Sequence, residues 1–159
     1  MTARSTAERY DLVIDGSRTP ASGGDRFETV DPATGAPIAE IARGTAADID
    51  AAVAAARRAL PDWRAMAPQD RGRLLQALAA RLREEQDRLA ELETRDNGKP
   101  ISHARRDVET CARYFEYYAG IADKVHGDSI PLTDSYVDYT VREPLGVTAQ
   151  IIPWNLPTT

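Results

Sequence analysis

The chain has 159 residues, of which 42% are hydrophobic and 28% are charged, and this is enough for one ordinary globular domain. Its net charge of −5 argues against nucleic-acid binding, because nucleic-acid-binding proteins carry a basic surface. No apolar run of about 18 residues or more is present to span a membrane, and the polar N-terminus lacks the core of a signal peptide. We therefore expect a cytoplasmic protein.

The first 44 residues predict a β-rich flap of short antiparallel strands. Residues 1–9 are polar and are expected to form a disordered tail. Asp15-Gly16 is a dipeptide that favours a two-residue hairpin turn. Apolar runs bounded by turn-forming residues predict strands at 10–14, 17–21, 27–30 and 38–42. Such a flap is too thin to fold alone.

From Thr45 onward the apolar period changes to about 3.6 residues, which predicts helices. Thr45 and Asp48 have the spacing of a capping box, and we expect the helix that they start to end at Pro61. Trp63 is then placed in a short link. Pro68 suits the first position of a second helix.

The second apolar stripe has an expected break near residues 84–87 and ends at Asn97-Gly98, a favourable helix stop. A third helix is predicted from near Ser102. Its apolar stripe consists of Val108, Cys111, Phe115, Tyr118 and Ala122.

The pattern then returns to strands. Residues 136–142 alternate between faces and are rich in β-forming side chains, and Glu143-Pro144 ends that strand. Residues 145–152 have the length and β-branched content of a strand buried on both faces. Trp154 and Asn155 follow at its C-terminal end, where open α/β sheets bind ligands.

The segment from Ile151 to Pro157 reads Ile-Ile-Pro-Trp-Asn-Leu-Pro and resembles the I-x-P-W-N-F-P signature of the aldehyde dehydrogenase superfamily. Leu156 stands where phenylalanine is more common. A second segment, residues 91–100, resembles the E-x-x-D-x-G-K-P segment of the same family. The resemblance extends from the hairpin near Tyr10 to Asn155.

This resemblance implies an α/β fold, specifically the N-terminal part of the aldehyde dehydrogenase fold. The parts are a β-hairpin flap, a helical layer, an arm strand and the first buried strand of a Rossmann-like parallel sheet. Residues 10–134 correspond to the N-terminal part of the cofactor-binding domain, and residues 135–144 to an oligomerisation arm strand. Residues 145–159 correspond to the first strand of the sheet and a truncated Pro-Trp-Asn loop.

The resemblance also implies NAD(P)-dependent oxidation of an aldehyde to a carboxylic acid through a cysteine thiohemiacetal. In this reaction Asn155 donates a hydrogen bond to the oxyanion. From the residue pattern alone, capping of a turn is the favoured role of Asn155. The implied wall for NAD or NADP consists of Ile151, Ile152, Pro153, Trp154 and Asn155. None of the ten glycines forms a G-x-G-x-x-G fingerprint.

The resemblance further implies a monovalent cation near backbone carbonyls of Thr29, Val30 and Asp96. A hard cation with carbonyl ligands is chemically reasonable, and an ordinary helix end and turn is the alternative.

Cys111 lies on a helical apolar stripe, so we expect it to pack in the core rather than act as a nucleophile. His103 and His126 have no partners at metal-ligand spacing. The nucleophilic cysteine and general-base glutamate of the family map beyond Thr159, so the chain alone is expected to be inactive. The alternative is a truncated fragment that acts only as an assembly partner. The full-length protein is expected to be a homodimer or homotetramer.

Overall fold

The computed structural model describes residues 8–158, which form a mixed α/β structure. The strands are β1 (Glu8–Tyr10), β2 (Leu12–Ile14), β3 (Ser17–Thr19), β4 (Arg26–Val30), β5 (Pro37–Ala42), β6 (Ser129–Ile130) and β7 (Asp138–Tyr139). The helices are α1 (Ala46–Ala65), α2 (Pro68–Glu84), α3 (Gln86–Asn97) and α4 (Ile101–Ile121). Within this described part, no helix combines the length and apolar character needed to cross a membrane.

The flap contains a three-stranded sheet in the order β1-β5-β4 and a separate β2–β3 hairpin. The hairpin turn is confirmed, since Asp15 and Gly16 have φ of 54° and 72°, as a type I′ turn requires. The expectation of antiparallel strands throughout is wrong, because β1 pairs in parallel with β5. Turn residues specify pairing between chain neighbours only, and this pair is distant in sequence.

Two boundaries at the start of the chain also differ from the prediction. Glu8 and Arg9 belong to β1 rather than to a tail, and the single strand predicted at 10–14 is divided at Asp11. The rest of the predicted tail, residues 1–7, lies outside the described residues. Division at Asp11 lets β1 and β2 join different sheets.

The capping box of α1 is confirmed. Thr45 Oγ1 accepts from the Asp48 amide at 3.4 Å, and the Thr45 amide donates to Asp48 Oδ2 at 2.8 Å. The predicted end at Pro61 is wrong, because the helix continues through that proline to Ala65. A proline removes one helical hydrogen bond without preventing the next turn from forming. Trp63 therefore lies within the helix, 45% exposed.

The break between α2 and α3 is confirmed at Glu85, and Gly98 ends α3 with φ of 77°. Helices α2 and α4 approach closely at Gly72, where a Cβ atom would lie 2.8 Å from the Ala119 carbonyl oxygen. The buried apolar side chains of the helical layer are Ala55, Ala79, Ala90, Ala104, Val108 and Ala112. Tyr118 does not belong to the buried stripe, since it is 57% exposed and packs edge-on against Tyr117.

The C-terminal part differs most from the prediction. The alternating strand expected at 136–142 is reduced to β7, which pairs with β6. Residues 145–152 form no ladder within the described part and are mostly exposed, so burial of this segment in a parallel sheet stays a prediction. Leu145 is 98% and Ile151 is 100% exposed. A strand becomes buried only when neighbouring strands supply its hydrogen bonds, and residues 8–158 offer none there.

Candidate functional site

The Pro-Trp-Asn segment forms a hydrogen-bonded turn. The Leu156 amide donates to the Pro153 carbonyl oxygen at 3.2 Å, so Trp154 and Asn155 occupy the two central positions. Both side chains are exposed, the indole by 81%. A proline on each side of these two residues restricts the backbone. The structure thus presents an indole and a side-chain amide together on a defined turn.

The residues just before the turn provide an exposed apolar surface. Ile151 and Ile152 are 100% and 52% exposed. Together with Pro153 and Trp154 they form a continuous apolar segment that carries few polar side-chain groups. Such a surface can cover the face of a flat aromatic ligand, although it offers no cradle for phosphate groups.

The residues just after the turn lead into a largely apolar cavity of about 310 Å³ between the flap and α3. Pro157 and Thr158 line it on one side. The remaining wall is formed by Tyr10, Thr29, Ile38, Ala39, Ile41, Leu89, Leu92, Glu93 and Asp96. The residues that follow the turn therefore lie against the cavity between the flap and α3.

A buried charge cluster lies beside this cavity, and it was not predicted from the sequence. Glu93 is 5% exposed and pairs with Lys99, whose ammonium group also contacts Asp107. Burial by itself lowers the pKa of Lys99, but hydrogen bonds to Asp107 and Glu93 outweigh it, so the pKa is raised above its ordinary value. The ammonium is therefore held in its charged form.

Glu93 and Lys99 are the glutamate and lysine of the E-x-x-D-x-G-K-P segment, so the motif contained a signal for this cluster. A second signal is that Glu93 lies one helical turn from the half-buried Leu89, on the inward face of α3. No local sequence pattern predicts that Asp107 joins the cluster, because its contact with Lys99 depends on how α4 follows α3.

Two of the residues predicted near a monovalent cation come together. Thr29 Oγ1 donates to Asp96 Oδ1 at 2.7 Å, which joins β4 to the last turn of α3. Val30 follows Thr29 at the end of β4 and is 44% exposed. Within residues 8–158, no group of three or more His, Cys, Asp or Glu residues is arranged to hold a metal ion. The cation site stays a prediction.

The other residues singled out in the sequence lie in α4 or after it. Cys111 is half-buried in that helix, and burial raises the pKa of its thiol. A raised pKa disfavours the thiolate that a nucleophile requires. His103 lies exposed in the first turn of α4, and His126 is exposed beyond its end.

Comparison with known proteins matches residues 19–159 to the aldehyde dehydrogenase family. The chain therefore belongs to the aldehyde dehydrogenase family, and the predicted fold class is confirmed. DhaS of Bacillus subtilis (strain 168) is 44% identical over 149 residues, which are 92% of this chain and 30% of DhaS.

Two solved structures show the same architecture. PnpE in complex with nicotinamide adenine dinucleotide is 45% identical with a TM-score of 0.90, over 94% of this chain and 31% of that chain. The NAD+ complex of an aldehyde dehydrogenase from Bacillus cereus is 41% identical with a TM-score of 0.92, over 95% and 31%. The chain thus spans just under a third of the length of the relatives that it matches.

Proposed function

We propose that this chain contributes the oxyanion-stabilising amide and part of the cofactor wall to an NAD(P)-dependent oxidation of an aldehyde to a carboxylic acid. The proposal is supported by membership of the aldehyde dehydrogenase family and by NAD complexes among the relatives. The observation that carries it is the Pro153–Leu156 turn, which holds the Asn155 amide exposed beside Trp154.

Asn155 acts on the charge that develops when a cysteine thiolate adds to the aldehyde. The carbonyl oxygen becomes an alkoxide, and a preorganised amide N–H that donates to it lowers the barrier by about 2.7–4 kcal/mol. The hydrogen bond between the Leu156 amide and the Pro153 carbonyl fixes the backbone that carries Asn155. The Asn155 side chain is therefore held near its place before the reaction begins, and less ordering is needed during it.

The segment from Ile151 to Asn155 fits a nicotinamide ring by its chemistry. Its side chains are exposed and mostly apolar, and a flat ring binds well against such a surface. The residues from Ile151 to Asn155 would hold the nicotinamide end of the cofactor, which when bound would supply a hydride acceptor for the oxidation. The choice between NAD and NADP depends on groups near the ribose 2′-hydroxyl, and this segment contributes none.

The thiolate and the general base are assigned to parts of the protein beyond these 159 residues. Cys111 is the chain's one cysteine, and its half-buried position and raised pKa do not suit a nucleophile. The chain alone is therefore proposed to be inactive. The monovalent cation near Thr29, Val30 and Asp96 remains a second, structural proposal.

Residues 135–144 are proposed as the oligomerisation arm of a homodimer or homotetramer. The exposure of Val137 (89%) and Tyr139 (65%), at and directly before the short strand β7, favours this role, since exposed apolar side chains beside a strand edge are buried when another chain pairs there. The same observation favours the alternative, in which the chain is an inactive fragment that acts only in assembly.

A chimera distinguishes the two functions. Residues 1–159 replace the corresponding segment of the Bacillus cereus enzyme, and NADH formation is followed with an aldehyde that the unmodified enzyme oxidises. We expect aldehyde-dependent NADH formation by the chimera and none by the 159-residue chain. A folded chimera that binds NAD+ but does not oxidise the aldehyde contradicts the catalytic proposal. Turnover by the purified 159-residue chain contradicts the assignment of the thiolate.

A further inference from the structure

Glu93 is a buried carboxylate whose two oxygens contact different parts of the chain. Oε1 accepts from the Lys99 ammonium, which lies six positions further along the chain. Oε2 accepts from the Thr158 hydroxyl at 2.9 Å, across 65 positions of sequence. The local contact and the long-range contact therefore share one side chain.

The charges of the cluster explain why the second contact matters. Lys99 supplies one positive charge to two carboxylates, those of Glu93 and Asp107, and all three side chains are largely buried. The excess negative charge requires further hydrogen-bond donors, because a buried charged oxygen without a donor is costly. The Thr158 hydroxyl supplies one of them to Glu93.

Thr158 is closely coupled to the Pro153–Leu156 turn. It is the third residue after Asn155, and Pro157, which restricts the backbone, lies directly before it. On the other side of the turn, Ile151 and Ile152 are exposed and form no strand pairing within the described part. The turn is therefore fixed to the rest of the chain on its C-terminal side, by the hydrogen bond from Thr158 to Glu93.

We propose that Glu93, held by Lys99 and Asp107, is a positioning residue that fixes the Pro-Trp-Asn turn through Thr158. Glu93 does not contact the reacting atoms. It orders the backbone that carries Trp154 and Asn155. The structural part of this inference is independent of the reaction, whereas its consequence for catalysis rests on the proposed function.

The order of the turn can be measured directly by ¹⁵N relaxation in the 159-residue chain. We expect order parameters of about 0.85 for the Trp154, Asn155 and Leu156 amides, and below about 0.6 after Thr158→Val. Valine has the shape of threonine without its hydroxyl. Thr158→Ser keeps the hydroxyl and is expected to retain the order. The α4 amides serve as the internal reference for an intact fold.

Glu93→Gln tests the other end of the contact, with Glu91→Gln as its control on the exposed face of the same helix. We expect Glu93→Gln to lower the order parameters of the turn and Glu91→Gln to leave them unchanged. If Glu93→Gln unfolds the helical layer, Thr158→Val decides, because Thr158 lies outside the helices. An unchanged turn in a folded Thr158→Val variant overturns the proposal, as does equal loss of order in Thr158→Ser.

Kinetics in the chimera separate this inference from the proposed function. Thr158→Val is expected to lower kcat roughly 10-fold or more, because the Asn155 side-chain amide is misplaced, and to raise KM for NAD+, because Trp154 of the proposed cofactor wall lies on the same turn. Added to Asn155→Ala, Thr158→Val is expected to cause no further loss of kcat. Suppose that the chimera is inactive, but that the turn is ordered and Thr158→Val loosens it. This result counts against the proposed function and not against the positioning role of Glu93. If Thr158→Val leaves the order of the turn unchanged, the result counts against the positioning role of Glu93, whatever the activity of the chimera.

Discussion

At the scale of single residues, Cys111 shows how position decides the chemistry of a side chain. It is half-buried in α4, and burial raises the pKa of its thiol. The thiolate fraction at neutral pH is therefore smaller than that of an exposed cysteine. Packing explains its presence better than reactivity does, as we expected from its place on an apolar stripe.

We predict that a thiol reagent labels Cys111 more slowly in the folded chain than in the urea-unfolded chain. The midpoint of the rate–pH profile is expected to lie higher in the folded chain, because its thiol ionises at higher pH. The profile distinguishes this effect from steric protection, which lowers the rate without moving the midpoint. A lower midpoint in the folded chain contradicts the assignment.

Asp48 is the second residue whose environment changes its titration. It is buried and accepts hydrogen bonds from the backbone amides of Thr45 at 2.8 Å and Ser22 at 3.0 Å. These bonds, that of Thr45 first, lower the pKa of the carboxyl below its ordinary value. A lowered pKa in the folded state means that its contribution to stability is present above the ordinary pKa and is lost as pH falls.

We therefore predict that Asp48→Asn destabilises the chain near neutral pH and that the difference from the parent shrinks as the pH falls below about 4. Chemical denaturation at a series of pH values measures the difference in the free energy of unfolding. Asp50→Asn, at an exposed position of the same helix, is the control and is expected to have little effect. A difference that does not depend on pH contradicts the role of Asp48.

At the scale of elements, the C-terminal end of α3 joins the helical layer to the flap. Gly98 has φ of 77°, and a Cβ atom there would lie 3.0 Å from Cγ of Pro32. Two positions earlier, Asp96 accepts from Thr29 of β4. The left-handed conformation of Gly98 thus allows the chain to turn away from α3 while the flap stays in contact with it.

We predict that Gly98→Ala lowers the free energy of unfolding by about 1–2 kcal/mol, because alanine is strained in the left-handed conformation. Urea denaturation followed by circular dichroism gives the value. Gly120→Ala is the matched control, since Gly120 lies inside α4 and a Cβ atom there meets nothing within 4 Å. The control is expected to be neutral or to stabilise the chain by up to about 1 kcal/mol. Equal destabilisation by both substitutions contradicts the explanation.

The elements also show which structural features the sequence contains. The Asp15-Gly16 turn, the Thr45–Asp48 capping box and the stop at Gly98 were predicted correctly, because each depends on residues within a few positions of one another. The parallel pairing of β1 with β5 was missed, because no local residue specifies a distant partner. The prediction that α1 ends at Pro61 was wrong, since a proline removes one helical hydrogen bond without preventing the next turn from forming.

The candidate site was predictable to a similar extent. Trp154 and Asn155 were identified from their motif, and the structure gives the turn on which they lie. The buried cluster of Glu93, Lys99 and Asp107 was missed, because a charged residue in a helix is usually solvated and its burial depends on packing between α3 and α4. The contact with Thr158 is longer in range still, and no pattern in the chain indicates it.

At the scale of the whole molecule, the C-terminal segment carries many exposed apolar side chains. Exposed fractions reach 89% at Val137, 98% at Leu145 and 100% at Ile151. Apolar surface of this extent usually marks a contact with other protein. The chain spans just under a third of the relatives that it matches, so further chain and a second subunit are the proposed occupants.

The central claim is that Asn155 stabilises the oxyanion, and the direct test is kcat of the chimera with Asn155→Ala. We predict that kcat and kcat/KM for the aldehyde fall together by about 10²–10³-fold, because the lost hydrogen bond forms only in the transition state. Pre-steady-state measurement of NADH formation on the enzyme tests whether the chemical step is the one affected. A chimera that folds and turns over equally fast with alanine at position 155 contradicts the claim.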